Sequence, residues 1–162
     1  MKVLVVSDTH RRMDNLDRVI EIEKPLDMVI HCGDMEESDD HLRMVAQCPV
    51  FVVAGNNDYF HNYEKELFVR LGNHKGIISH GHNYYISMGV EIYASEARAR
   101  GVDVAFFGHT HRPYYNVVNG VTLINPGSIS YPRQEGRQPS YAILNVDNDK
   151  LDCEIKYLKK IL

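Results

Sequence analysis

The stretch VDVAFFGHTH, residues 102–111, runs a largely apolar segment into a glycine and then sets two histidines one residue apart. Val102 to Phe107 has the nearly unbroken apolar character of a strand buried on both faces, as in parallel sheets covered by helices. Polar residues delivered at the end of such a strand face the crevice where ligands bind in α/β folds. The question is whether other strands deliver polar residues to the same place.

They do. Val3-Leu4-Val5-Val6 ends at Ser7-Asp8-Thr9-His10, and Met28-Val29-Ile30 ends at His31-Cys32-Gly33-Asp34. Residues 50–54 end at Gly55-Asn56-Asn57-Asp58, and a strand over residues 76–79 ends at His80-Gly81-His82. Between them, residues 13–23 carry Leu16, Val19 and Ile20 at helical spacing and stop before Pro25; residues 39–47, 63–71 and 91–100 read as further helices. Past residue 111 the pattern becomes antiparallel. Strands over 114–118 and 121–124 flank an Asn119-Gly120 turn, and strands over 141–146 and 151–157 flank Asp147-Asn148-Asp149-Lys150. Strands alternating with helices, followed by a run of strands, predict an α/β protein with helices covering the sheet faces.

The 162 residues fit a single domain spanning 1–162. A hydrophobic fraction of 44% and a charged fraction of 25% are ordinary for a globular chain, and a net charge of -4 gives no electrostatic reason to expect nucleic acid. Cys32, Cys48 and Cys153 are odd in number and lack a Cys-x-x-Cys spacing, which supports neither a disulfide framework nor a zinc knuckle and fits a reducing cytoplasm. The first apolar run is too short for a signal-peptide core, and no later run approaches the length that spans a membrane.

Taken singly, each polar cluster reads as a turn. Together they would gather carboxylate, imidazole and amide groups on one sheet edge, where unpaired polar groups are costly to bury. Metal ions remove that cost, because Asp and Asn oxygens with neutral imidazole nitrogens suit manganese, iron, cobalt or zinc.

Asp8-x-His10, Gly33-Asp34, Gly55-Asn56-x-Asp58, His80-Gly81 and Gly108-His109-x-His111 stand in the order found in the calcineurin-like metallophosphoesterases, and the chain resembles the small bacterial and archaeal phosphodiesterases of that superfamily over nearly its whole length. The resemblance implies a four-layer αββα sandwich of two mixed β-sheets flanked by helices. It also implies two divalent metal ions, manganese first, with nickel, zinc, iron or cobalt as alternatives. Asp8, His10, Asp34 and His111 would hold the first ion; Asp34 would bridge to the second, completed by Asn56, His80 and His109. Two ions bring four positive charges against the two negative charges of Asp8 and Asp34, leaving a surplus for a bridging hydroxide nucleophile and a phosphate ester. The implied activity is phosphodiester hydrolysis on a small phosphoester substrate, with a phosphomonoesterase, including a phosphoprotein phosphatase, as the nearest alternative. A protein-interaction scaffold, the use made of this fold by a retromer subunit, is a more distant one. Small relatives are often dimers or tetramers, which makes a homodimer or homotetramer possible while the sequence leaves the oligomeric state open, and no membrane association is expected.

The chain departs from the larger family at Asn57, where a histidine often follows the ligand Asn. An amide can hydrogen-bond phosphate oxygens but cannot serve as a general acid near neutral pH. His82 is the replacement candidate, and Asp58 reads as a group that orients Asn56 or its loop. His31 reads as structural, and Asn125-Pro126-Gly127-Ser128 as a rigid turn beside the site. Arg112, Arg133 and Arg137 are suited to phosphate but read first as surface groups. Loops 35–40, 83–88 and 131–139 are where substrate selectivity would reside.

Overall fold

The computed structural model describes residues 1–159. Their strands are β1 (Lys2–Val6), β2 (Met28–His31), β3 (Val50–Val52), β4 (Glu66–Leu71), β5 (His74–Ser79), β6 (Val104–Phe106), β7 (Pro113–Val118), β8 (Val121–Pro126), β9 (Ser140–Asp147) and β10 (Lys150–Tyr157). The α-helices are α1 (Asp14–Glu23), α2 (Asp40–Ala46) and α3 (Glu91–Ala99). One five-stranded sheet has the order β10-β9-β1-β2-β3 and the other β4-β5-β6-β8-β7. Both are mixed: β1 pairs parallel to β2 and antiparallel to β9, while β6 lies parallel to β5 and β8 with antiparallel strands outside them.

The side-chain alternation of each strand explains the layering. Val3 and Val5 of β1 face Val104 and Phe106 of β6 across the space between the sheets, in one continuous core with Ile30, Ile78 and Ile124. Leu4 and Val6, one residue out of phase, pack instead on Leu16, Val19 and Ile20 of α1. On the far side, Ala105 and Phe107 meet Tyr93, Ala94 and Ala97 of α3. The order helix, sheet, sheet, helix is the αββα sandwich, and a strand buried on both faces is why residues 102–107 show almost no polar interruption. The fully buried Tyr93 settles its hydroxyl by donating to the Phe106 carbonyl at 2.9 Å, fixing α3 beneath the loop that carries His109 and His111.

One element differs in kind from its expectation. Residues 63–71 do not form a helix; residues 66–71 are the edge strand β4, antiparallel to β5. Leu67 and Leu71 are spaced for a helix, but Leu67, Val69 and Leu71 also form an inward row at period two, with Phe68 and Arg70 outward. An inter-sheet core offers that row a complete burial site, and tertiary packing decides. The segment after His80 also contains a short 3-10 turn, His82–Tyr84, in a stretch expected to be loop. Among the described residues, no helix is long and apolar enough to cross a membrane.

His31, at the end of β2, is fully buried. Its Nδ1 accepts the Gly33 N–H at 3.2 Å, which leaves Nε2–H to donate to Thr9 Oγ1 at 3.1 Å. The structural role expected for it is therefore to lock the β1 and β2 exit loops together as a neutral ring. Burial depresses its pKa to about 4, against the opposing pull of the Asp58 and Asp8 carboxylates. A group depressed in the fold contributes stability above its unfolded value, about 6.5, and loses it as pH falls towards 4. Urea unfolding of the metal-free protein should therefore show a loss of about 2 to 3 kcal/mol from this residue between pH 7 and 4.5. His31→Gln should be less stable at pH 7 but shed that part of the slope; an unchanged slope would show that the ring is not held neutral.

Candidate metal centre

Five parallel strands deliver the polar loops to one edge. Asp8 and His10 follow β1, Asp34 follows β2, Asn56 follows β3, His80 follows β5, and His109 and His111 follow β6. Asp8 and His80 are fully buried, and Asp34 and His111 nearly so. His111 Nε2 lies 3.1 Å from Asp8 Oδ1, and His10 Nε2 lies 3.8 Å from the same oxygen. His80 Nε2 is 3.4 Å from Asp34 Oδ2 and 3.9 Å from Asp8 Oδ1. Asn56 Oδ1 faces His109 Nδ1 at 2.9 Å, with the His109 ring centroid 5.2 Å from that of His80. All seven residues expected as ligands thus converge.

Their grouping is finer than the expectation. Asp8, His10 and His111 bring one donor atom each within 4.8 Å of one another, and Asp8, Asp34 and His80 form a second such group. Asp8 is common to both, whereas sequence reasoning gave the shared position to Asp34. Asp34 still stands between the halves, with Oδ2 3.4 Å from His80 Nε2 and 4.0 Å from His10 Nε2.

The imidazoles are aimed from behind. His111 Nδ1 donates to the Tyr131 carbonyl at 2.7 Å and His80 Nδ1 to the Cys32 carbonyl at 2.7 Å, while His10 Nδ1 meets Glu36 Oε1 at 2.5 Å. A ring that donates from Nδ1 presents Nε2 as a lone pair when neutral. Two such nitrogens, of His10 and His111, face each other at 3.3 Å. Asp8 Oδ1 and His80 Nε2 are buried without a hydrogen-bond partner. Carboxylate oxygens gathered in a buried space with imidazole nitrogens that offer lone pairs once deprotonated are the donor set of a divalent cation, so these residues fit the metal ions that the motifs imply.

Electrostatics agrees. Burial alone would raise the Asp34 carboxyl, but His80 and the hydrogen bonds of Asn57 hold it far below the usual carboxylate range. Asp8, with burial again opposed by His111 and His80, is also lowered. His80 itself would be lowered by burial, yet the Asp34 and Asp8 carboxylates push it up to about 9. In the metal-free protein His80 is thus an imidazolium that partly balances the two carboxylates, and a bound cation would take over that task.

The backbone bends to allow this. Asp8, His10, Asp34, His109 and His111 all hold positive φ, between 47° and 68°, a left-handed placement that costs non-glycine residues on the order of 1 kcal/mol each. Hydrogen bonds over-determine it: Asp8 N–H donates to the Gly33 carbonyl and His10 N–H to the Asp34 carbonyl, each at 3.0 Å, and His109 N–H donates to Asp8 Oδ2 at 3.2 Å. Gly108 and Gly55 are required by close approach, since a Cβ would collide with Ser7 Oγ and with the Asp34 carboxylate respectively.

The remaining candidates fall into place around this centre. Asn57 donates its backbone N–H to Asp34 Oδ1 and its side-chain amide to Asp34 Oδ2, each at 2.8 Å, so it grips a candidate ligand. Asp58 accepts the backbone N–H groups of Asp34, Glu36 and Gly55 at 2.6–2.8 Å, tying two ligand loops together as an orienting group. His82 lies beside the second group, its ring centroid 5.4 Å from that of His80, with a buried Nδ1 that has no partner; burial and the neighbouring His80 and His109 lower its pKa. The turn at 125–128 buttresses the centre directly: Asn125 donates to the Gly108 carbonyl at 2.9 Å and Ser128 Oγ to the Asp8 carbonyl at 2.9 Å. Glu36 was not singled out from sequence; an acid two residues past Asp34 in the same loop was the available signal.

Comparison with known proteins places this arrangement. The calcineurin-like phosphoesterase superfamily domain matches residues 1–149. The chain is 37% identical over 150 residues to a probable metallophosphoesterase of Bacillus subtilis, covering 92% of this chain and 86% of that one. It is 27% identical over 149 residues to the phosphodiesterase MJ0936 of Methanocaldococcus jannaschii, covering 78% and 83%. Among solved structures, a predicted phosphoesterase of Streptococcus pneumoniae superposes with a TM-score of 0.84 at 28% identity, covering 96% and 88%. Vps29 of Entamoeba histolytica, solved with zinc, gives 0.78 at 23% identity over 97% and 99%, a likeness of fold.

Two outcomes follow from the geometry. Because His80 must shed a proton held up to about pH 9, affinity for a divalent cation should rise with pH between about 6.5 and 9, and calorimetry in buffers of different ionisation enthalpy should find about one proton released on loading at pH 7.5; no proton release would show that His80 is not a ligand. Asp58→Ala, which strands three backbone donors, should weaken metal binding by about 10- to 100-fold although Asp58 touches no metal position.

Proposed function

We propose that this chain, which belongs to the calcineurin-like phosphoesterase superfamily, is a metal-dependent hydrolase that cleaves phosphodiesters. The observation that carries the reading is the set of three imidazoles, His10, His80 and His111, each held at Nδ1 and each turning Nε2 towards the Asp8 and Asp34 carboxylates. Two divalent cations held there, manganese among the ions such a mixed oxygen and imidazole set suits, would supply charge stabilisation for the phosphoryl group and water acidic enough to attack near neutral pH. Asp8, His10 and His111 would hold one, and Asp34, His80, Asn56 and His109 the other, with Asp8 belonging to both donor groups.

The chain's own residues then have distinct tasks. Asn57 and Asp58 keep the Asp34 carboxylate and its loop in place, and the Tyr131 and Cys32 carbonyls keep His111 and His80 facing inwards. Direct attack by metal-activated water on phosphorus needs no protein nucleophile. With Asn57 engaged on Asp34, His82 is the group best placed to hydrogen-bond the departing oxygen. Its lowered pKa makes it neutral near pH 7, a hydrogen-bond donor more than a proton store. Esters with good leaving groups should therefore be cleaved fastest. The preference for diesters over monoesters is supported by the named activity of the archaeal relative.

The test is turnover of bis(4-nitrophenyl) phosphate against 4-nitrophenyl phosphate by metal-stripped protein with manganese, nickel, zinc or magnesium restored. Diester turnover should exceed monoester turnover, require the added metal and fall at least about a hundredfold in His109→Ala. Dominant monoester turnover would make the chain a phosphomonoesterase, and turnover that ignores metal would remove the basis of the assignment.

A further inference from the structure

A cleft of about 760 Å³ opens at the candidate centre, lined by His10 and His111 together with Tyr131, Arg112, Arg133 and Arg137, and by one carboxylate, Glu36, which is taken up by His10 and Arg11. A fourth arginine, Arg12, lies with its guanidinium carbon 4.7 Å from the centroid of the Tyr131 ring. Among the described residues, the ion pairs made by arginines belong to Arg11, Arg43 and Arg100. The four around the cleft have no carboxylate partner, in a chain whose net charge is -4. Arg112 and Arg133 also line an adjoining cleft of about 450 Å³, which places them where the two meet.

One exposed arginine without a partner is unremarkable, but four around a single cleft outnumber its one carboxylate, Glu36, and make a local excess of cation. The guanidinium fork matches phosphate oxygens in a bidentate way that a point charge does not. A scissile phosphodiester carries one negative charge, and the metal centre already meets it. Cationic forks beyond that position have nothing to bind in a substrate whose substituents are neutral. The space is also larger than one phosphate group fills and falls within the range that encloses a small organic ligand. The arginine loop is tied to the centre at two points, because His111 Nδ1 donates to the Tyr131 carbonyl and Arg133 N–H donates to the His111 carbonyl at 3.0 Å. The backbone that carries Arg133 is therefore held beside His111.

We infer that the substrate is a phosphodiester bearing a second phosphate group, which Arg112, Arg133 and Arg137 hold while the diester lies against the Asp8 and His111 end of the cleft. This rests on the phosphodiesterase reading and narrows its substrate class.

The experiment compares a thymidine dinucleotide with the same dinucleotide phosphorylated at its 5′ or 3′ end, in manganese-loaded protein, with bis(4-nitrophenyl) phosphate alongside. At least one phosphorylated form should show kcat/KM higher by at least about tenfold, through KM. In Arg133→Gln/Arg137→Gln that ratio should fall to within about twofold of one. A wild-type protein that cleaves the nitrophenyl diester but treats all three dinucleotides alike overturns the second-phosphate inference and leaves the phosphodiesterase reading standing. So does a preference that survives the double substitution. A wild-type protein that cleaves no diester at all takes both down.

Discussion

The structure depends on one electrostatic constraint: two buried carboxylates, Asp8 and Asp34, are surrounded by imidazoles whose outer nitrogens are already engaged. In a low-dielectric space such a set cannot be left without positive charge. In the metal-free chain the His80 proton supplies part of it; bound divalent cations would supply the rest. Nothing else in the fold asks for this arrangement. The inter-sheet core of Val5, Ile30, Ile78, Val104 and Phe106 would pack as well beneath apolar loops.

Several other features follow from that constraint. Left-handed backbone at five of the seven candidate ligands is affordable only because neighbouring loops close hydrogen bonds across it. Asp58 and Asn57 serve Asp34, the Asn125 to Ser128 turn serves Asp8 and the Gly108 loop, and neutral His31 joins the two loops that carry Asp8 and Asp34. Rigid strand ends from both sheets meet at this edge, so side chains as distant in sequence as Asp8 and His111 are held 3.1 Å apart. The arginine-lined cleft shares this framework, since its loop is hydrogen-bonded to His111 on both sides.

Much of this was legible in the chain. Apolar runs such as Val3 to Val6 and Val104 to Phe107 announced doubly covered strands, and the polar groups at their ends announced the site, because the same parallel topology that buries a strand exposes its carboxyl end. β4 was misread because Leu67 and Leu71 satisfy both periods, and only the inter-sheet space decides between them. That Asp8 is shared by both donor groups, that Asn57 is committed to Asp34 and that Glu36 backs His10 depend on rotamers and loop conformations that residue spacing does not encode. Nor could the sequence show that arginines at 12, 112, 133 and 137 gather around one opening, which takes loops from three separate parts of the chain.

The two-cation site proposed at the convergence of Asp8, Asp34 and the imidazoles is open to direct test. Anomalous diffraction from crystals soaked in manganese tests it without reference to any substrate. The account predicts two strong peaks roughly 3.5–4 Å apart, one against Asp8, His10 and His111 and the other against Asp34, His80, Asn56 and His109. A single peak that leaves His80 and Asn56 without a metal, or manganese bound only at the surface, would contradict it.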